Sequence, residues 1–266
     1  MIEVVLYFPL IALVSWAGYY IRSLSLSGSV AAFVVGCFVV SGFGWRGLLL
    51  LGAFFATSSF WSKFKKQKKE KLDEMLEKGG RRDWVQVAAN GSVTAIAALL
   101  HYLSPSDLWQ MAFIVSIAAA NSDTWASEIG VLSKREPISI LTFKPAVKGT
   151  SGAISVLGLF ASLMGSLIIV VLAVVLFAIP SLGGIIFLTL CGFSGSVIDT
   201  ILGALVQVKF QCEQCGLITE KSKHCQWDTK KIKGIHFVNN DIVNLLSICL
   251  ATGLGLLVAI IISTLN

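Results

Sequence analysis

Charge is what this sequence holds least of. Asp, Glu, Lys and Arg make up 14% of its 266 residues, whereas an ordinary soluble domain carries about 25%. A chain that is 55% hydrophobic, with a mean hydropathy of +0.80, cannot cover a soluble surface with so few charges. A soluble enzyme, a DNA-binding module and a disordered chain are thereby excluded, and six cysteines among 266 residues do not make a secreted disulfide scaffold. Histidine is equally scarce. The three present are scattered, and no Ser-His-Asp grouping suggests itself. The phosphate loop G-x-x-x-x-G-K-[ST] is missing, so nucleotide chemistry has to come from other parts.

What is present is long apolar runs. Cut at their polar breaks, they give about eight stretches near the length that a bilayer demands of a helix: 4–21, 27–41, 45–61, 84–103, 108–130, 152–178, 183–207 and 241–263. None alternates polar and apolar residues over ten-residue segments, which argues against a β-barrel. Lipid offers backbone groups no partners, so helices remain. The expected fold is all-α, a polytopic membrane bundle of about eight transmembrane helices. Three N-terminal helices (1–61) and a basic loop (62–83) precede a five-helix core (84–266), which carries a Cys-containing loop at 208–240. The first run is expected to stay: Glu3 stands where a signal peptide is positive, and no A-x-A cleavage site follows.

Threading eight spans puts loops 62–83, 131–151 and 208–240, with Arg22, on one side. That side holds 20 of the 21 Lys and Arg residues, with Arg46 alone opposite. The positive-inside rule assigns it to the cytoplasm and both termini to the outside. The net charge of +6 follows from this bias and does not argue for nucleic acid. Residues 63–83, with nine basic and five acidic side chains, are expected to form a solvated excursion touching anionic headgroups. Arg81 and Arg82, just before a span, are within reach of a phosphate.

Ionisable residues inside spans are costly and mark function. Here they are Asp123, Glu128, Asp199 and Asp241, all toward the cytoplasmic side under this threading. No Lys or Arg lies inside a span at that depth, so a metal cation is the natural partner, and hard oxygen ligands beside a phosphate suit Mg²⁺. Helical spacing puts Asn121, Thr124 and Glu128 on one stripe, with Asp123 beside it. A second stripe holds Gly192, Gly195, Ser196, Asp199 and Gly203. A third runs Gly152, Ser155, Gly158, Ser162, Gly165. Gly158, Ser162, Gly165 and Gly192 read as packing contacts. Lys144, Lys148, Gly149, Thr150, Ser151 and Gly152 form a basic, glycine-rich loop entering a helix, where free N–H groups favour phosphate. Amides accumulate at the same depth: Asn90, Asn239, Asn240 and Asn244, the last two sharing a face beside Asp241.

Cys37, Cys191 and Cys249 lie in spans as small apolar fillers. Cys212, Cys215, His224 and Cys225 share a cytoplasmic loop, where disulfides are disfavoured. They supply the four ligands of a possible structural zinc. Adjacent His224 and Cys225 would point to opposite sides of an extended chain, which makes joint ligation awkward.

Taken in order, Ala89-Asn90-Gly91, SDTWASEIG at 122–130, GTSGAIS at 149–155, GSVIDTILGALVQ at 195–207 and NNDIVN at 239–244 resemble an integral membrane family. It is the one that includes transmembrane protein 19 and the plant phytyl-phosphate kinase. Ser151 stands where the resemblance leads one to expect Asn. The resemblance implies phosphorylation of a polyprenyl monophosphate (phytyl, farnesyl or geranylgeranyl phosphate) to its diphosphate by CTP or another NTP. It also implies kinship with CTP-using lipid cytidylyltransferases, which form an alternative reading, as does an ion or lipid transporter. Under the kinase reading Asp123, Glu128, Asp199 and Asp241 serve Mg²⁺ and positioning, while Lys148 and Lys144 neutralise phosphoryl charge. The substrate or nucleotide would lie among Asn90, Asn121, Thr124, the 149–152 loop, Ser155, Gly195, Ser196, Asn240 and Asn244. The protein is expected in a cell or organelle membrane, its site facing the cytoplasm.

Overall fold

The computed structural model describes residues 6–65, 80–179 and 181–265. Glu3, the start of the first expected span, Pro180 and most of the expected basic loop, 66–79, lie outside the described residues. Within them are seven helices: α1 (Phe8–Tyr20), α2 (Leu26–Lys63), α3 (Trp84–Leu103), α4 (Asp107–Gly130), α5 (Val156–Phe177), α6 (Leu182–Leu205) and α7 (Asn240–Leu265). Five starts follow from side-chain caps. Ser25, Ser106, Ser155 and Ser181 accept backbone N–H groups from the first turn, and Asp83 forms a reciprocal capping box with Gln86.

The expectation of about eight helices is corrected at α2. The second and third expected spans form one element, interrupted at Gly44 (φ 58°, ψ −151°). A straight helix of 38 residues would run about 57 Å, yet Lys63 Nζ donates to Ile21 O at 2.7 Å. The element therefore folds back at Gly44, where only glycine adopts such angles freely. Residues 42–47 also carry the letters G-x-G-x-x-G. They flank a fold-back with no strand before it, so they make no dinucleotide loop.

Among the described residues, four helices, α2, α5, α6 and α7, are long and apolar enough to cross a membrane. They turn leucines, isoleucines and valines outward, among them Val34, Val175, Ile186 and Leu257. α3 and α4 are long enough but carry more polar residues. α4 is the central element: every residue from Ala112 to Ser122 is buried, and small side chains let neighbours close around it. At the Gly44 end the core is aromatic, Phe43 stacking on Phe113 and on His101 at 4.2 and 4.4 Å between centroids.

The all-α expectation needs one addition. Among the described residues, seven short strands form three small sheets, all in the loops at the other end. β1 (Ile138–Ser139) pairs with β2 (Ala153–Ile154). β3 (Lys209–Gln211) lies between β4 (Ile218–Thr219) and β7 (Lys230–Lys233), and β5 (Lys223–His224) pairs with β6 (Trp227–Asp228). A further link joins the segment before α3 to the α1–α2 turn: Ser25 N–H donates to Arg82 O and Arg82 N–H to Ser23 O.

Candidate functional site

Gly80 and Arg82, the loop at 148–155, and Gln207 and Glu220 meet at one end of the bundle, where the chain lines a cavity of about 340 Å³, within the range of ligand pockets, about 300–1,000 Å³. α4 brings Asp123, Thr124 and Glu128 to its wall, and α6 brings Ser196 and Asp199. Asn90 of α3 and Asn240, Asp241 and Asn244 of α7 join them. Lys148, Gly149, Thr150, Ser151, Gly152 and Ser155 close another side. Most of the site residues expected from the sequence thus share one space, although they come from four helices and a loop.

Several side chains hold the acids in place. Asp199 Oδ2 accepts from Ser247 Oγ at 3.3 Å, and from the Asn244 amide at 2.9 Å when that amide is turned to donate. The Asn239 carboxamide oxygen caps the head of α7 by accepting the Ile242 N–H. Glu128 Oε1 accepts from Ser62 Oγ at 2.6 Å, which ties α4 to the end of α2.

Among the described residues, the cations on the cavity wall are Arg82 and Lys148, which reach it from the flanking loops and not from within a helix. Arg82 lies beside Glu128; burial lowers its pKa, and the glutamate works in the opposite direction. Lys148 Nζ donates to Ser133 O at 2.6 Å. Five carboxylates still outnumber these two cations on the wall, because Glu220 adds to the four expected. Arg81 instead turns away, donating to Leu24 O and lying over Tyr19.

The glycine-rich loop does not enter a helix directly. Gly149 and Gly152 both have positive φ, 79° and 85°; the turn leads into β2, and α5 starts only at Val156 under the Ser155 cap. A Cβ at Gly152 would come 2.4 Å from that of Ala204, so the turn is seated on α6. Glu220, beyond β4, braces this wall: its Oε1 accepts from Ser151 Oγ at 2.8 Å and Gln207 Nε2 at 2.7 Å. Lys209 Nζ donates to Ser151 O. Burial and Lys233 lower the Lys209 pKa, and Glu220 partly opposes them. Glu220, Gln86 and Ser62 line the cavity but carry no sequence signal, since ordinary polar residues near span ends look alike until folded; Gln207, which ends the motif at 195–207, joins them.

Three expected site residues lie elsewhere. Asn121 is fully buried: its Oδ1 accepts from Thr57 and Ser58 hydroxyls of α2, and its Nδ2 donates to Gly165 O of α5. Gly195 packs on Ala119. Lys144 is exposed and outside the cavity wall. Gly158, Ser162, Gly165 and Gly192 all make close helix contacts, as their spacing suggested.

The loop cysteines gather outside the wall of this cavity. Ligand atoms of Cys212, Cys215, His224 and Cys225 all lie within 4.8 Å of one another, the one such His/Cys/Asp/Glu group among the described residues. The expected awkwardness of adjacent His224 and Cys225 disappears in the folded loop. Cys225 and Gln226 have φ of 51° and 66° and form the two-residue hairpin between β5 and β6. The chain there is tightly turned, not extended.

An apolar helical bundle that turns leucines, isoleucines and valines outward is the architecture of an integral membrane protein. The chain belongs to the family described as "Integral membrane protein DUF92", whose model matches residues 9–252. This bears out the membrane family read from the sequence motifs. Protein PGR of Arabidopsis thaliana is 33% identical, with 91% of each chain covered. An uncharacterized membrane protein of Methanocaldococcus jannaschii is also 33% identical, over 71% of this chain and 76% of its own. Protein VTE6, chloroplastic, of Arabidopsis thaliana is 27% identical over 91% of this chain and 66% of its own. No solved structure matches.

Proposed function

We propose that this protein is a membrane-embedded kinase that transfers the terminal phosphoryl group of CTP or another NTP to a polyprenyl monophosphate, giving the diphosphate. The observation that carries it is the cavity itself, where acids on neighbouring helices face Lys148, Arg82 and a glycine turn at the basic end of an apolar bundle. Membership of the family and the motif resemblance to the phytyl-phosphate kinase support it. The positive-inside rule puts this end in the cytoplasm, where NTP is present. The prenyl tail of phytyl, farnesyl or geranylgeranyl phosphate lies among the outer apolar faces while its phosphate enters the cavity.

A phosphate monoester is largely dianionic at pH 7, so its oxygen needs no general base. That oxygen attacks the terminal phosphorus of the NTP, the bond to the bridging oxygen breaks, and the nucleoside diphosphate leaves. Arg82 and Lys148 counter the gathering charge, and the turn at 149–152 bounds the phosphates. Asn90, Thr124, Ser196, Asn240 and Asn244 offer hydrogen bonds for orientation. The donor set fits Mg²⁺: this ion takes one or two carboxylates and completes its shell with water and substrate phosphates. Asp123 and Asp199 would hold it, with Asp241 and Glu128 nearby, and it would neutralise charge on the phosphates.

Purified protein in detergent, given Mg²⁺, a prenyl monophosphate and each NTP separately, is expected to form the prenyl diphosphate, identified by mass spectrometry. A CDP-linked lipid with pyrophosphate would replace the kinase reading by the cytidylyltransferase. No product across several prenyl lengths would overturn both.

A further inference from the structure

The Cys/His cluster at 212–225 is outside the cavity and has no part in the phosphotransfer reading. Cys212 and Cys215 sit on a tight knuckle: Gly216 N–H donates to Cys212 O at 2.9 Å and Cys212 N–H to Leu217 O at 2.9 Å. Gly216 takes a φ of 75° there. From the facing hairpin, His224 Nδ1 comes 3.4 Å from Cys215 Sγ and 3.2 Å from Cys225 Sγ. A tetrahedral zinc with bonds of about 2.0 Å to nitrogen and 2.3 Å to sulfur spaces its ligand atoms about 3.5–3.8 Å apart. All four ligand atoms lie within 4.8 Å of one another, so modest adjustment seats one ion.

We infer that Cys212, Cys215, His224 and Cys225 bind one structural Zn²⁺, which holds the 208–235 loop in shape against the bundle. Lys209, Glu220 and Lys233 fasten parts of the loop to the bundle, but the hairpin that carries His224 and Cys225 has short strands alone. The loop's strands are two to four residues long, and those of β6 and β7 are wholly exposed. A module this small lacks a core of its own and needs a metal or an equivalent staple. With all four positions taken by protein, the site is closed and suited to structure, with no place for a reacting group. The zinc also bears on the cavity wall, since Glu220 lies on the chain between the two ligand pairs and grips Ser151 and Gln207. Removing the ion therefore loosens the wall from outside.

The test uses the full-length protein in detergent, purified through a tag without histidine. Elemental analysis of wild type should give one zinc per chain, falling to none in Cys215→Ser and in Cys225→Ser. Both replaced residues are exposed, so helical circular dichroism and elution volume should stay as in wild type. Cobalt in place of zinc should give the strong visible absorption of tetrahedral thiolate ligation. Trypsin should cut at Lys221 or Lys223 many-fold faster after strong chelation. The inference is overturned if zinc-loaded wild type carries no stoichiometric metal, if both variants keep it, or if thiol alkylation finds the cysteines paired as disulfides. Prenyl kinase assays are read separately, so either conclusion can fail without the other.

Discussion

Replacing Asn121 with alanine separates a structural amide from a ligand. The side chain makes three hydrogen bonds, to Thr57, Ser58 and Gly165, joining α4 to α2 and α5. In soluble proteins each is worth about 0.5–1.5 kcal/mol net, but interhelical bonds within membranes average about 0.6 kcal/mol. The lower figure governs here, and three bonds give a loss of about 2 kcal/mol. For a chain of this size that lowers the melting temperature by about 4–8 °C. The measurement is thermal unfolding in a fixed detergent, followed by intrinsic tryptophan fluorescence. Ser58→Ala, which removes one of the bonds, should give about a third of the loss, and the double variant should match Asn121→Ala at that bond rather than add to it. An unchanged melting temperature accompanied by lost turnover would refute the assignment and return Asn121 to the ligand side.

Asp123→Asn and Asp199→Asn should each reduce prenyl diphosphate formation by at least about 10²-fold, with wild-type elution and helix content. Normal turnover in both would remove the acids from the mechanism. Gly152→Ala forces a left-handed residue, costing about 1–2 kcal/mol, and drives a Cβ into Ala204; a clear fall in melting temperature is expected, and a neutral result would displace this turn from α6. Arg82→Gln should raise KM for the phosphate-bearing substrate by roughly 10-fold or more, the loss of one charge-assisted bond, measured in initial-rate assays. Chelation of Mg²⁺ with EDTA should stop turnover and excess Mg²⁺ restore it; activity persisting in EDTA would exclude the metal role.

Most helix starts were readable within a residue or two from the polar breaks between apolar runs, but α5 begins at Val156 and not at 152, where the Ser155 side chain caps its first turn after the glycine turn and β2. The stripe through Asn121 and Glu128 was also readable, and both indeed face α2. Depth was not. Seven residues separate the two by about 10 Å along the axis, which places Glu128 on the cavity wall and Asn121 in the packing below it. The fold-back at Gly44 resembled a break between two spans, since glycine marks either. Arg82 was placed within reach of a phosphate by its position just before a span, but Glu220 was hidden, because a loop acid of this kind reaches the cavity only through contacts with distant parts of the chain. The His224–Cys225 pair was misjudged by assuming extended backbone where a hairpin turn stands.

The link between Arg82 and the α1–α2 turn bears on how the protein is made. Residues 23–25 leave the ribosome well before residue 82, yet the two segments exchange backbone hydrogen bonds in the finished structure. Gly28 must be bare for this, since a Cβ there would collide with Arg82 O. The N-terminal helices thus act as a mould laid down early, into which the later segment is pressed, and that docking carries the arginine to the cavity. A protein begun after α2 would insert its remaining helices and still lack the surface that aims this side chain.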